Sequence, residues 1–189
     1  MTSGRRLGRV LVVGLLGLLV WKTRRPVQLV FSREDSFVGH GKRHPYVMRY
    51  RTGAGRDGTL VALEADLISD SGAYAALSPW VLLYSLVTAT GPYRIPHVKV
   101  DATTVYTNNP VASAYRCFGS IQTCLAYEGQ MDALAAALGV DPLALREKNF
   151  LRKGDALATG QVLETEPMLA ETMQRAWAGL GEPTPRRAA

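Results

Sequence analysis

The densest group of side chains that could bind a ligand or take part in catalysis lies at residues 108–119. This stretch joins a predicted strand to a predicted helix and carries Tyr115, Arg116, Cys117 and Phe118 among small residues. Arg116 could give charge-assisted hydrogen bonds to an anion, and backbone amides at the start of the following helix would face the same anion. Equally, Arg116 could satisfy carbonyl groups of the loop while the aromatic rings pack. The spacing indicates a candidate anion site and leaves both interpretations open.

Other residues that commonly carry chemistry give weaker indications. His40, His44 and His97 share no metal-ligand spacing, and Cys117 and Cys124 do not form a C-x-x-C motif. The sequence contains no P-loop, no G-x-G-x-x-G and no G-x-S-x-G motif, so it gives no support to a nucleotide-binding fold of those types or to a serine hydrolase. Two unpaired cysteines suggest reduced thiols, and we therefore expect a cytoplasmic protein.

Composition and charge restrict the class of protein. The chain has 189 residues, of which 47% are hydrophobic and 20% charged, values typical of a globular protein with one core. The net charge of +6 is uneven, because residues 1–58 hold twelve basic and three acidic side chains. No recognition-helix, zinc-finger or aromatic RNA-binding pattern accompanies that charge, so we expect no nucleic-acid partner.

An apolar run at residues 7–21 follows Arg5 and Arg6. It is short for a membrane-spanning helix, which needs ~20 residues, and no small-x-small cleavage pattern follows it. A buried helix that ends in cations and is stopped by Pro26 explains the same residues. The sequence favours that helix, with a membrane anchor or secretory signal as the alternative.

The elements that must position the loop mix strands and helices without a regular alternation, which predicts an α+β fold. Ser32, Ser78 and Asp141 are expected to begin helices. Predicted strands lie at residues 27–31, 46–52, 59–70 and 98–107, the middle two forming a hairpin. Helices are predicted at residues 78–90, 121–138, 141–151 and 168–180. The acidic residues of the second hairpin strand are interpreted as a solvated face, namely Glu64, Asp66 and Asp70.

Residues 114–122 read A-Y-R-C-F-G-S-I-Q, which resembles the A-F-R-G-F-G-x-P-Q loop of xanthine dehydrogenases and aldehyde oxidases. Other motifs of that family follow in family order across residues 21–165: R-P-V with S-R-E-D, K-R-H-P, G-P-Y-R-I-P, Y-T-N-N-P, E-x-x-M-D, and D-P-L with R-x-x-N and G-D. The chain is similar to an internal fragment of the molybdenum-binding large subunit. We expect an apolar segment at 1–20 that matches the family poorly, a partial molybdopterin-binding domain at 21–165, and a helix with a frayed tail at 166–189.

The resemblance implies roles for three residues. Arg116 matches the arginine that borders the molybdenum–molybdopterin centre, so it is the expected cofactor-binding residue. Phe118 matches the phenylalanine on which a flat substrate stacks. Tyr84 stands where purine-specific members carry an arginine, nine residues before Tyr93, which places it at the substrate and argues against xanthine. No catalytic residue is expected within the fragment, because the family's general base and its glycine-rich segment lie outside it.

The loop also departs from the xanthine-type pattern. Cys117 replaces a glycine, and Ile121 replaces a proline. Residues 114–117 read A-Y-R-C, which also resembles carbon monoxide dehydrogenases, whereas Phe118 and the glycine after it resemble the xanthine-type loop. Both branches therefore remain possible at this point.

The function implied by the resemblance is a molybdenum-dependent hydroxylation of an N-heterocycle or an aldehyde with oxygen from water. The implied cofactor is molybdenum–molybdopterin, with the cytosine dinucleotide form as one option. Electrons would pass to iron–sulfur and FAD groups on partner subunits, and the fragment alone would be inactive. The alternatives are a non-catalytic remnant, a membrane-anchored interaction module, and a carbon monoxide dehydrogenase-like protein.

Overall fold

A computed structural model describes residues 3–180, and side chains from residue 13 onward. It shows an α+β fold, as predicted, with a three-stranded sheet in the order β1-β2-β3. The elements in chain order are α1 Ser3–Thr23, α2 Arg33–Gly39, β1 Tyr46–Ala54, β2 Leu60–Asp70, α3 Ser78–Val87, β3 His97–Val105, α4 Ser120–Leu138, α5 Pro142–Asn149 and α6 Leu169–Gly179.

Local capping chemistry sets the starts of two helices, as the sequence predicts. The hydroxyl of Ser32 accepts the amide of Asp35 at 3.1 Å, and the Asp35 carboxylate accepts the Ser32 amide at 3.1 Å, which is a capping box before α2. At α5, the Asp141 carboxylate accepts the amide of Ala144 at 2.8 Å. These side chains satisfy amides that would otherwise lack partners at the helix starts.

The predicted hairpin is formed by β1 and β2, and one of its faces is solvated. Arg49 pairs with Asp66 at 3.0 Å, and Arg51 pairs with Glu64 at 3.5 Å, with all four side chains at least 44% exposed. The interpretation of a solvated strand face is therefore confirmed for Glu64 and Asp66. It is wrong for Asp70, whose carboxylate is half-buried and accepts hydrogen bonds from the residues after β3. Exposed pairs of this kind contribute little stability, about 0–1 kcal/mol each.

The chain divides into two compact units. Unit 1 comprises residues 1–47, 68–85 and 102–119, and unit 2 comprises residues 48–67, 86–101 and 120–189. Unit 2 contains a hydrophobic core made of Leu60, Tyr93, Met131, Ala135, Leu145 and Phe150. Unit 1 buries mostly small and polar side chains: His44, Ser69, Ser71, Ser78, Val81, Ser85, Ala112 and Ser113.

The strand predicted at residues 27–31 is absent from the structure, and this prediction is wrong. Residues 26–32 form no regular element, and Leu29, Val30 and Phe31 are 51%, 73% and 48% exposed. A strand needs a neighbour to accept and donate its backbone hydrogen bonds. None of the three described strands pairs with this segment.

The helix predicted at residues 7–21 is present within α1, but the burial expected for it is not observed. Over the described side chains, Val13 is 67% exposed and Trp21 is 65% exposed. Within residues 3–180, no helix combines the length and the apolar character that a bilayer-spanning segment needs. At the other end, the helix predicted at 168–180 is confirmed as α6, whereas the tail expected to fray lies outside the described residues.

Candidate functional site

The entry to the candidate loop is fixed by a carboxylate at the end of β2. Asp70 accepts the hydroxyl of Thr107 at 2.6 Å, the amide of Gly72 at 2.7 Å and the side-chain amide of Asn109 at 2.5 Å. The hydrogen bond from Thr107, followed by those from Gly72 and Asn109, lowers the pKa of this carboxyl. Asp70 thus holds the turn at which the chain leaves β3 and enters the loop.

A short segment before β1 pairs with the loop as a parallel bridge. The amide of Lys42 donates to the carbonyl of Val111 at 2.9 Å, and the amide of Ser113 donates to the carbonyl of Lys42 at 2.8 Å. A side chain at Gly41 would have its Cβ 3.3 Å from the Ser113 hydroxyl, so the two backbones approach closely here. This pairing brings the next residue, Arg43, to the loop.

Arg43 contacts the loop in two ways. Its Nη1 donates to the carbonyl oxygen of Arg116 at 3.0 Å. Its guanidinium carbon lies 4.5 Å from the centroid of the Tyr115 ring, within the range of a cation–π contact. Arg43 was not among the sequence-predicted site residues; the only signal was its position in the K-R-H-P motif.

The far end of the loop packs against α3. The rings of Phe118 and Tyr84 lie 5.8 Å apart, tilted by 58°. Gly119 is buried, and a Cβ there would lie 2.6 Å from the carbonyl oxygen of Val81 and would also meet the Ser85 hydroxyl. Tyr84 and Phe118 are distant in sequence, but the fold brings them into contact. This contact is expected if both residues face one substrate.

Three successive loop residues have left-handed backbone conformations: Cys117 at φ 74°, Phe118 at φ 46° and Gly119 at φ 97°. Such a conformation costs a residue with a Cβ roughly 1–2 kcal/mol. Strain of this kind persists only where surrounding contacts hold it, and it clusters at ligand and active sites. The glycine that xanthine-type loops carry at the position of Cys117 suits this conformation, so Cys117 introduces strain at that position.

Arg116 lies between the two held ends of the loop and is exposed. Among the described residues its side chain has no hydrogen-bond or ion-pair partner, whereas its backbone carbonyl accepts a hydrogen bond from Arg43. The alternative in which its guanidinium satisfies loop carbonyls is not observed, because Arg43 donates to the loop instead. A free guanidinium can bind an anionic group through charge-assisted hydrogen bonds, and this is the chemistry that the arrangement can offer.

The other candidates from the sequence form no site in the described part of the chain. His44 is buried, and its Nε2 lies 2.7 Å from the Ser78 hydroxyl, so it has a structural contact. Over residues 3–180, no group of three or more His, Cys, Asp or Glu side chains is arranged to hold a metal ion. Cys117 and Cys124 are both unpaired thiols, as predicted.

The chain has an α+β fold with a strained, arginine-bearing loop, which is the kind of segment that clusters at ligand sites, and comparison with known proteins identifies the family. The family model of the molybdopterin cofactor-binding domain, compared with this sequence, matches residues 4–150. The chain therefore belongs to this family, and the resemblance noted in the sequence is confirmed. The match begins inside the 1–20 segment that was expected to match poorly.

Individual relatives agree with this assignment. The chain is 48% identical over 159 residues to the nicotinate dehydrogenase large molybdopterin subunit of Eubacterium barkeri, covering 84% of this chain and 37% of that protein. Among solved structures, it is similar to the aldehyde oxidoreductase of Desulfovibrio gigas, with a TM-score of 0.79, 35% identity, and coverage of 87% of this chain and 18% of that one.

A structure of the Cu,Mo-CO dehydrogenase is also similar, with a TM-score of 0.64 and 25% identity over 79% of this chain and 20% of that one. The chain thus spans little more than a third of the nicotinate dehydrogenase subunit, and a fifth or less of the two solved chains.

Proposed function

We propose that the chain supplies the loop that borders the molybdenum–molybdopterin cofactor in a hydroxylase of the xanthine dehydrogenase and aldehyde oxidase type. The observation that carries this proposal is the exposed, unpartnered guanidinium of Arg116 on a loop whose two ends are held by other residues. Arg116 would bind an anionic group of the cofactor through charge-assisted hydrogen bonds. When bound, the cofactor would supply the oxygen-transfer chemistry.

The aromatic pair beside Arg116 supports a role in substrate binding. Phe118 would stack against a flat ring, and Tyr84, in contact with it at 5.8 Å, would form the neighbouring wall. Tyr84 brings no positive charge to a position where a purine oxygen would gain from one. We therefore propose an N-heterocycle other than xanthine as the substrate, with aldehydes as the second class. The name of the Eubacterium barkeri relative, a nicotinate dehydrogenase, agrees with an N-heterocycle.

We also propose how the remaining steps of the reaction are supplied. The hydroxyl oxygen would come from water, and electrons would leave through iron–sulfur and FAD groups on partner subunits. The chain contains no residue that we propose as catalytic, so it would be inactive alone. We further propose a cytoplasmic location and residues 21–165 as a partial cofactor-binding domain, with the cytosine dinucleotide form as one option for the cofactor.

One specific observation favours a second candidate, the carbon monoxide dehydrogenase branch. Residues 114–117 read A-Y-R-C, and the Cys117 thiol is exposed. Two observations favour the first candidate. The loop continues with the phenylalanine and glycine of the xanthine type, and the TM-score to the aldehyde oxidoreductase, 0.79, exceeds the 0.64 to the carbon monoxide dehydrogenase.

Metal analysis of the protein purified from its native source, together with the polypeptides that co-purify, tests the proposal. We expect molybdenum in this preparation, because the chain matches a molybdopterin cofactor-binding domain. Arg116→Ala should lower the molybdenum content, because it removes the donor to the cofactor. Arg49→Ala is the matched control: it removes an exposed, ion-paired arginine of unit 2 and should leave the content unchanged.

Different results would select the alternatives. Absence of molybdenum from the wild-type preparation would contradict the proposal in favour of a non-catalytic remnant. Copper in equal amount with molybdenum, lost in Cys117→Ser, would favour the carbon monoxide dehydrogenase branch. If the enzyme is loaded, Phe118→Leu should raise KM for an N-heterocycle more than for a small aldehyde, because only the flat ring loses a stacking surface.

A further inference from the structure

The two sides of the loop are held in unequal ways. On the α3 side, Phe118 and Gly119 pack closely against Tyr84 and Val81, and a Cβ at position 119 has no space. On the opposite side, the side-chain contact to residues 115–116 is made by Arg43. The carbonyl of the peptide that follows Arg116 therefore accepts its side-chain hydrogen bond from Arg43.

Arg43 is suited to this position by the geometry of its guanidinium. The group is planar, so its face can lie over the Tyr115 ring, 4.5 Å from the centroid, while an edge N–H donates to the Arg116 carbonyl at 3.0 Å. A lysine ammonium can keep the charge near a ring, but it lacks the flat fork that does both at once. The contact is thus specific for arginine.

The two arginines differ in surroundings. Arg43 is half-buried and follows the backbone bridge between Lys42 and the loop, so its position is set by the fold. Arg116 is exposed, and its side chain has no partner in the described part of the chain. One arginine engages the protein, which leaves the other available for a ligand.

We infer that Arg43 is a positioning residue for the cofactor loop, and that it fixes the peptide from which Arg116 projects. The inference rests on the proposed function of Arg116 as the anion-binding residue. Arg43 acts through Arg116 and need not touch the cofactor. Its loss should therefore loosen the loop and weaken anion binding together.

Amide hydrogen exchange of the cofactor-free chain tests the structural part. The amide of Phe118 donates to the carbonyl of Tyr115 at 2.9 Å, so it reports on the turn that Arg43 holds. Arg43→Ala should speed its exchange about fivefold, the factor that corresponds to loss of an exposed cation–π contact. Arg43→Lys should give an intermediate rate, and Arg49→Ala should leave the rate unchanged.

An internal control separates loosening of the loop from general unfolding. The amide of Leu60 in unit 2 donates to the Asn149 side chain at 2.9 Å, and its exchange should be the same in all variants. If the Phe118 amide exchanges at the wild-type rate in Arg43→Ala, the inference is overturned. If Arg43→Ala accelerates the exchange of both amides through general unfolding, Arg43→Lys is the variant to use. A wild-type exchange rate of the Phe118 amide in Arg43→Lys would also overturn the inference.

Titration with inorganic pyrophosphate tests the functional part. Arg116→Ala should abolish binding, Arg43→Ala should weaken it about fivefold, and Arg49→Ala should leave it unchanged. Faster exchange in Arg43→Ala with unchanged pyrophosphate affinity would overturn the positioning role. If the wild-type chain binds no pyrophosphate, the anion-binding proposal for Arg116 fails, whereas a raised Phe118 exchange rate would still support Arg43 as the residue that holds the loop.

Discussion

The two units of the molecule are stabilised by different kinds of interaction. Unit 2 buries large apolar side chains, with Tyr93 and Phe150 stacked at 5.9 Å and Met131 2% exposed. Among its side chains from residue 13 onward, unit 1 buries serines and His44 around one larger aliphatic residue, Val81. Burial of apolar area contributes about 25 cal/mol per Å², whereas a typical hydrogen bond contributes only about 1 kcal/mol net.

The difference shows how the candidate loop is supported. In unit 1 the backbone course is set by specific hydrogen bonds, such as those to Asp70, and by close approaches at glycines, such as Gly72 and Gly119. Small, directional contacts fix position without filling volume. We therefore expect unit 2 to be destabilised most by substitutions that remove side-chain volume. We expect unit 1 to be destabilised by substitutions that add a single methyl group.

The largest effect is expected in the core of unit 2. Phe150→Ala should lower the free energy of unfolding by about 3–5 kcal/mol, because it leaves a cavity beside Tyr93. Chemical denaturation measures this loss. Val81→Ala, at the largest buried aliphatic side chain of unit 1, should cost only about 2 kcal/mol. Equal losses in the two variants would remove the distinction between the units.

A methyl group added to the loop should have the next largest effect. Gly119→Ala should lower the free energy of unfolding by about 2–3 kcal/mol, because φ is 97° and the new Cβ would meet the Val81 carbonyl. Gly129→Ala is the matched control, since nothing lies within 4 Å of its Cβ in helix α4. That variant should gain about 1 kcal/mol from helix propensity. A harmless Gly119→Ala would show that the loop is not packed as described.

Local sequence signals predicted the fold well where the cause is local. Ser32 and Asp141 cap helices with their own side chains, and the hairpin is formed by β-rich alternation around a glycine turn. The strand predicted at residues 27–31 failed because a strand is stabilised by its neighbour, and the sequence of the segment does not say whether a neighbour exists. The exposure of α1 was missed for the same reason.

The site shows the same limit. The motif at residues 114–122 predicted roles for Arg116 and Phe118, and the position nine residues before Tyr93 predicted a role for Tyr84. The structure adds the contact between Tyr84 and Phe118. The part played by Arg43 could not be predicted, because it contacts a carbonyl 73 residues away in sequence, and such a contact follows only from the parallel bridge that the fold creates.

A smaller, stabilising effect is expected at the position where this loop departs from the family pattern. Cys117→Gly should raise the free energy of unfolding by about 0.5–1 kcal/mol, since glycine adopts φ 74° without steric cost and loses only part of that gain to backbone entropy. The same change at Cys124, inside helix α4, should instead cost about 0.3–0.5 kcal/mol, the difference in helix propensity between cysteine and glycine. Thermal or chemical denaturation of the two variants would show opposite signs, and losses in both would contradict a strained Cys117.

The smallest effect depends on pH and compares one carboxylate from each unit. Hydrogen bonds, first from Thr107, lower the pKa of Asp70 in unit 1, and hydrogen bonds, first from Thr59 and then from Lys148, lower the pKa of Asp57 in unit 2. Because the folded pKa lies below the unfolded value near 3.8, each contribution is fully present above that pH. It is lost as the pH falls through the folded pKa.

Hydrogen exchange between pH 6 and pH 2 can assign that loss to a unit. As the pH falls below 3.8, the amide of Gly72, which donates to Asp70, should lose protection, relative to the intrinsic exchange rate at each pH. In Asp70→Asn the Gly72 amide should be less protected at pH 6 and should change little on acidification. The amide of Thr59, which donates to Asp57, should keep its wild-type pH profile in that variant. If Asp70→Asn altered both amides alike, the two units would not respond independently, and the contrast between a hydrogen-bonded unit 1 and an apolar unit 2 would have to be replaced by a single cooperative structure.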